Sequence, residues 1–102
     1  MSNRFTYDDH FTGKADENIR EILGEKQNES DMRPLKKILY AVIENELTDK
    51  QRRVVMLYYF KNMSSTEIAS KLSVTPQAVL RTLSRARVKI YSILKYYLMF
   101  RG

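Results

Sequence analysis

Apolar residues recur at helical spacing through most of the chain, and no stretch alternates in the manner of a strand. The clearest run is Leu35, Ile38, Leu39, Val42 and Ile43, an i, i+3, i+4, i+7, i+8 set that turns one face to a core and points Lys36 and Lys37 away. It predicts a helix opening near Asp31–Pro34, where Pro34 is tolerated in the first turn, and ending near Asn45. A second helix is predicted from Thr48 to Phe60, with Val54, Met56, Leu57 and Tyr58 on its apolar side. Thr48 and Gln51 have the spacing of a capping box, and Asn62, which tolerates left-handed backbone, marks the end. Ser64 and Glu67 repeat the box and open a short helix with Ile68, Ala69 and Leu72 inward. Thr75 is a good N-cap, and Pro76 suits the first position of the helix predicted to follow, to about Phe100. Its residues Val79, Leu83, Ala86, Ile90, Ile93, Leu94 and Tyr97 fall in one sector at ~100° per residue. The fold class is therefore all-α, a small helical bundle with a C-terminal helix-turn-helix and a long final helix.

Residues 1–30 lack this periodicity except for Asp16–Gly24, where Ile19, Ile22 and Leu23 share one side and Gly24 provides a stop. The pattern predicts a flexible acidic arm over 1–30, containing that short helix, ahead of a helical domain over 31–102. A chain of 102 residues holds one small core. It has no cysteine, which rules out disulfides and thiolate metal sites and suits a reducing compartment. Neither a leader-like apolar run after Met1 nor an 18-residue apolar stretch is present, so a cytoplasmic protein is expected.

Charge changes the picture more. The formal net charge is +6, yet residues 1–46 hold seven basic and ten acidic side chains, whereas residues 47–102 hold eleven basic and only Asp49 and Glu67. From Thr75 onward there are six cations and no acid. The basic half coincides with the helix-turn-helix, so the expected anionic partner is double-stranded DNA. In that plan the second helix leads into the major groove with its N-terminal turns, which here offer Gln77, Ala78, Leu80, Arg81 and Thr82. Gln77, Arg81 and Arg85, spaced by four, line up opposite the Val79 stripe. Glutamine suits adenine, arginine suits guanine, and either Leu80 or Ala78 fits a thymine methyl. Arg85, Arg87 and Lys89 lie further along, where phosphate contact is the natural role. The Ser64-Ser65-Thr66 helix start offers N–H groups and hydroxyls to a phosphate. Catalytic chemistry has no such support. Asp8-Asp9-His10 stands without a second histidine, and there is no glycine-rich phosphate loop, so no enzyme, metal or cofactor is expected.

The residues Leu47-Thr48 with Gln51-Arg52, Glu67-Ile68-Ala69, and Leu83 with Arg85-Ala86-Arg87 stand in a register that resembles region 4 of sigma-70-family RNA polymerase sigma factors, especially the small extracytoplasmic-function type. The likeness runs over residues 47–90. It implies recognition of a promoter −35 element by the last helix and docking on the β-flap of the RNA polymerase core. By motif position it places Gln77, Ala78, Arg81 and Thr82 at bases, and Arg52, Arg53, Ser64 and Arg85 at the DNA backbone. Family members usually carry glycine where Asn62 and Ser73 stand. Nothing in residues 1–46 looks like sigma region 2, so the resemblance implies a partner sigma subunit bearing that region, and a chain that does not open a promoter alone.

Two other readings stay open. The end of the last helix is apolar almost all round, and Leu80, Tyr91 and Leu98 form a second stripe ~100° from the first. That stripe packs on the Leu35–Ile43 helix or serves a partner. A homodimer through residues 90–100 would make the protein a dimeric helix-turn-helix transcriptional regulator. Alternatively, the module binds polymerase or a sigma factor and scarcely touches DNA.

Overall fold

The computed structural model describes residues 15–24 and 32–101. Five helices pack around one core, with no strand among the described residues: α1 (residues 15–23), α2 (Met32–Asn45), α3 (Asp49–Val55), α4 (Ser65–Leu72) and α5 (Pro76–Arg101). A π-helical turn, Met56–Phe60, continues α3.

The boundaries follow the local chemistry. Thr48 and Gln51 close a capping box, Gln51 N–H donating to Thr48 Oγ1 at 3.1 Å and Thr48 N–H to Gln51 Oε1 at 3.0 Å. Ser64 and Glu67 do the same at the start of α4, at 3.1 and 2.8 Å. Ahead of that cap Met63 packs on the core that buries Ile68, and the two occupy the positions of a hydrophobic staple. Asn62 takes φ 58°, the left-handed conformation its position called for.

Helix α5 is the central strut, packing on α2, α3 and α4. Its Val79, Leu83, Ala86, Ile90 and Leu94 are buried against Leu35, Leu39, Val42 and Ile43 of α2, Val54 and Val55 of α3, and Ile68 and Ala69 of α4. The last helix departs from expectation toward its end, where Ile93 is half-buried and Tyr97 exposed.

Two expectations need correction. Residues 15–23 do form the short helix, but Ala15, Ile19 and Ile22 are each 1% exposed, and Ile19 and Ile22 belong to the common core; this stretch is docked, not a loose arm. Residues 1–14 and 25–30 of the expected arm lie outside the described residues. The second helix does not run as regular α-helix to Phe60. At Met56 it widens, Lys61 N–H bonding Met56 O at 3.1 Å and Met63 N–H bonding Leu57 O at 3.0 Å. In the α-helical part Val55 is buried, whereas Met56, expected on the apolar side, is 40% exposed.

Candidate nucleic-acid interface

The turn between α4 and α5 is built by hydrogen bonds that only one backbone shape allows. Ser73 adopts φ 59°, ψ 45°. Its N–H points back to Ser70 O at 3.4 Å, and Val74 N–H bonds Ala69 O at 2.9 Å, the paired bonds of a Schellman motif. Ala69, 3% exposed, offers only a methyl at the crossing, and Val74 packs against the core beside it. Thr75 Oγ1 then accepts from Ala78 N–H at 3.1 Å and caps α5, as its sequence position required.

This geometry leaves one side of the first turns of α5 in solvent while Val79 and Leu83 stay in the core. Gln77, Arg81 and Arg85 are exposed on the side opposite the buried Val79, Leu83 and Ala86, and Leu80 is exposed on the flank between, ~100° from the buried stripe. Gln77, Arg81 and Arg85 share one line at i, i+4, i+8. Ala78 and Thr82 lie on its shoulder and are half-buried.

The cations placed at the DNA backbone sort into two groups. Arg53 is exposed and lines an open groove of about 490 Å³ with Asp49, Lys50, Lys71, Leu72 and Val74, between α3 and the α4–α5 turn. Among the described residues Lys50, Arg53 and Lys71 have no ion pair, so this groove is strongly basic. Arg52 is less available: two of its nitrogens lie 3.0 Å from Asp49 Oδ1, and its Nε is buried without a hydrogen-bond partner. Ser64 uses its hydroxyl oxygen as an acceptor in the capping box, and an accepting hydroxyl still has a hydrogen to donate. Lys89, which the sequence offered to phosphate, instead donates to Glu46 O at 3.0 Å and to Gln51 Oε1 at 3.4 Å, tying α5 to the start of α3.

Arg87 departs further from its expected role. Two residues past Arg85, it is rotated ~200° around α5 and turns inward. Its Nε donates to the Tyr59 hydroxyl at 2.8 Å, and its guanidinium lies 3.3 Å from Asp16 Oδ1, with the side chain 14% exposed. The Tyr59 hydroxyl donates to Asp16 in turn, and Arg20 pairs with Asp16 at 3.0 Å. Both guanidiniums lie over the rings of Tyr58 and Tyr59, 5.3 to 5.8 Å from the centroids. The wide turn at Met56–Phe60 presents these neighbouring tyrosines to one cluster. Burial pushes the Asp16 carboxyl up, but the Tyr59 hydroxyl, Arg20 and Arg87 together outweigh it and hold the group below its ordinary value. Burial also pushes the Tyr59 phenol well above the usual range, so it stays protonated and donating. No short-range pattern pointed to this cluster. The one hint was Arg87's place on the wheel, on the flank of the Ala86–Ile90 stripe.

At the far end of α5, Ser92, Ile93, Tyr96 and Tyr97 line a shallow, mostly apolar groove of about 440 Å³. Tyr96, Tyr97 and Met99 are about half to two-thirds exposed. Of the second stripe, Leu80 is 50% exposed, Tyr91 is half-buried, and the Leu98 side chain lies outside the described residues. No described helix is long and apolar enough to cross a membrane. Among the described residues no group of three or more histidine or acidic side chains is placed to hold a metal, and Asp8-Asp9-His10 lies outside them.

The chain matches no curated protein and no solved structure. Residues 41–90 match the family model described as Sigma-70, region 4, and this stretch is a sigma-70 region 4 domain, a DNA-binding fold of transcription initiation.

Proposed function

We propose that the protein, whose residues 41–90 are a sigma-70 region 4 domain, recognises a promoter −35 element with α5 while RNA polymerase is docked through the β-flap. The observation that carries this reading is the exposed line Gln77, Arg81, Arg85 on the solvent side of the capped start of α5. Gln77 and Arg81 have the hydrogen-bonding forks to read adenine and guanine, with Ala78 and Thr82 against the same bases from the shoulder. Arg85 and Arg53 hold phosphates on either side, joined by the Ser64 hydroxyl at the start of α4. Arg52 completes this set only by exchanging Asp49 for a phosphate, which makes it the weakest member. A partner chain bearing sigma region 2 supplies the contacts that melt the promoter.

The test is selection of duplexes from a random pool by the full chain, followed by affinity measurement with Gln77→Ala and Arg81→Ala. Sequence-specific binding that survives both changes removes the assignment. Capture of polymerase core and a second sigma-like chain on the tagged protein checks the partners.

The exposed Tyr96, Tyr97 and Met99 favour a second reading, a homodimer through residues 90–100 acting as a transcriptional regulator. It requires a two-fold operator with half-sites about one helical turn apart and a mass that doubles with concentration. A single asymmetric site bound by a monomer rejects it.

A further inference from the structure

We propose that Leu80 reads the methyl group of one thymine in the major groove, fixing one position of the DNA site by apolar contact where its neighbours use hydrogen bonds. The inference rests on α5 entering the major groove, as argued above. Its own basis is the contrast along α5: Val79 and Leu83 are 1% and 0% exposed, yet Leu80 between them is 50% exposed. A single bare leucine on a protein surface is ordinary. This one stands in the second turn of a helix that leads with its N-terminus, three residues after Gln77 and next to Arg81, both exposed. At that position a side chain meets base edges rather than the phosphate backbone.

Ala78, the other apolar candidate, is half-buried on the shoulder, and its N–H is held by Thr75 Oγ1 at 3.1 Å. Its single methyl sits close to the helix axis, whereas the branched end of Leu80 reaches two carbons further out. Among base edges in the major groove only thymine carries a methyl group, so an apolar side chain there distinguishes thymine from cytosine without any hydrogen bond. Gln77 and Arg81 set the register that brings Leu80 to a fixed base pair.

The experiment uses the full chain and the duplex it selects from a random pool. Each thymine is replaced in turn by deoxyuridine, which lacks only the methyl group. One replacement is expected to weaken binding about three- to fivefold, the effect of one methyl no longer buried, with the others near neutral. Leu80→Ala, at a half-exposed site that keeps the fold, is expected to bind the thymine and deoxyuridine forms of that position equally while retaining its preferences elsewhere. A selected duplex indifferent to every replacement overturns the Leu80 assignment alone, as does a Leu80→Ala protein that still senses the methyl. Failure to select any duplex overturns this inference together with the DNA reading.

Discussion

Ser73 holds a left-handed backbone that a side chain with a Cβ resists by ~1–2 kcal/mol. The Schellman bonds at Val74 and Ser73 outweigh that resistance, because without them the last carbonyls of α4 would be left unpaired. Ser73→Gly is therefore expected to raise stability, by less than ~1 kcal/mol once the added freedom of glycine in the unfolded chain is subtracted. Urea unfolding should show a higher midpoint with an unchanged slope. Asp16 gives a pH signature. Its carboxyl titrates lower in the folded protein than in the unfolded chain, so its contribution is fully present above the ordinary carboxylate range and fades as pH falls through it and then through the folded value. Asp16→Asn should lower stability at neutral pH and flatten its dependence on acidification below about pH 4. On DNA, Arg81→Ala should cost ~1–3 kcal/mol at the preferred site and relax one base position. Arg85→Ala should weaken all sequences alike and reduce the salt slope by about one.

At the scale of elements, the positions where a side chain acts on its own backbone were legible in the sequence. Thr48–Gln51, Ser64–Glu67 and Thr75 all cap as their spacing required, and Asn62 and Ser73 both take positive φ. The exposed Gln77–Arg81–Arg85 line was legible for the same reason, since helical periodicity alone decides which face is opposite a core stripe. What was not legible depends on contacts distant in sequence. Val55 goes inward and Met56 outward in the regular helix, and no local rule announces the widened turn at Met56–Phe60 that follows them. Arg87 and Lys89 read as surface cations until Asp16, Tyr59 and the Glu46 carbonyl are placed beside them. Capping also makes a prediction for the element that carries the site. Thr75→Ala leaves the Ala78 N–H without its partner and should cost ~1 kcal/mol of stability in denaturant. It should also weaken specific DNA binding more than nonspecific binding, because the first turn of α5 carries Gln77.

At the scale of the molecule, the matched stretch and the buried core are not the same set of residues. The core draws Ile19, Ile22, Leu35 and Leu39 from before residue 41 and Leu94 from after residue 90. Ile19→Ala is expected to cost ~2–5 kcal/mol by leaving a cavity under α1, as measured by chemical unfolding of the full chain. The split charge fits the same arrangement. Acidic Asp16 serves the interior side of α5 through Arg87, while Arg81 and Arg85 keep the outer side basic. The α1 contacts also set an order of events in time. The two capping boxes and the α4–α5 turn join residues five or fewer apart, whereas Tyr59 meets Asp16 across 43 positions. Closing so long a loop before anything rewards it is slow, so the helix-turn-helix is expected to assemble first and α1 to settle onto it late. Ile19→Ala should then accelerate unfolding in stopped-flow measurements and leave the refolding rate nearly unchanged, making α1 the clasp that governs how long the folded protein lasts.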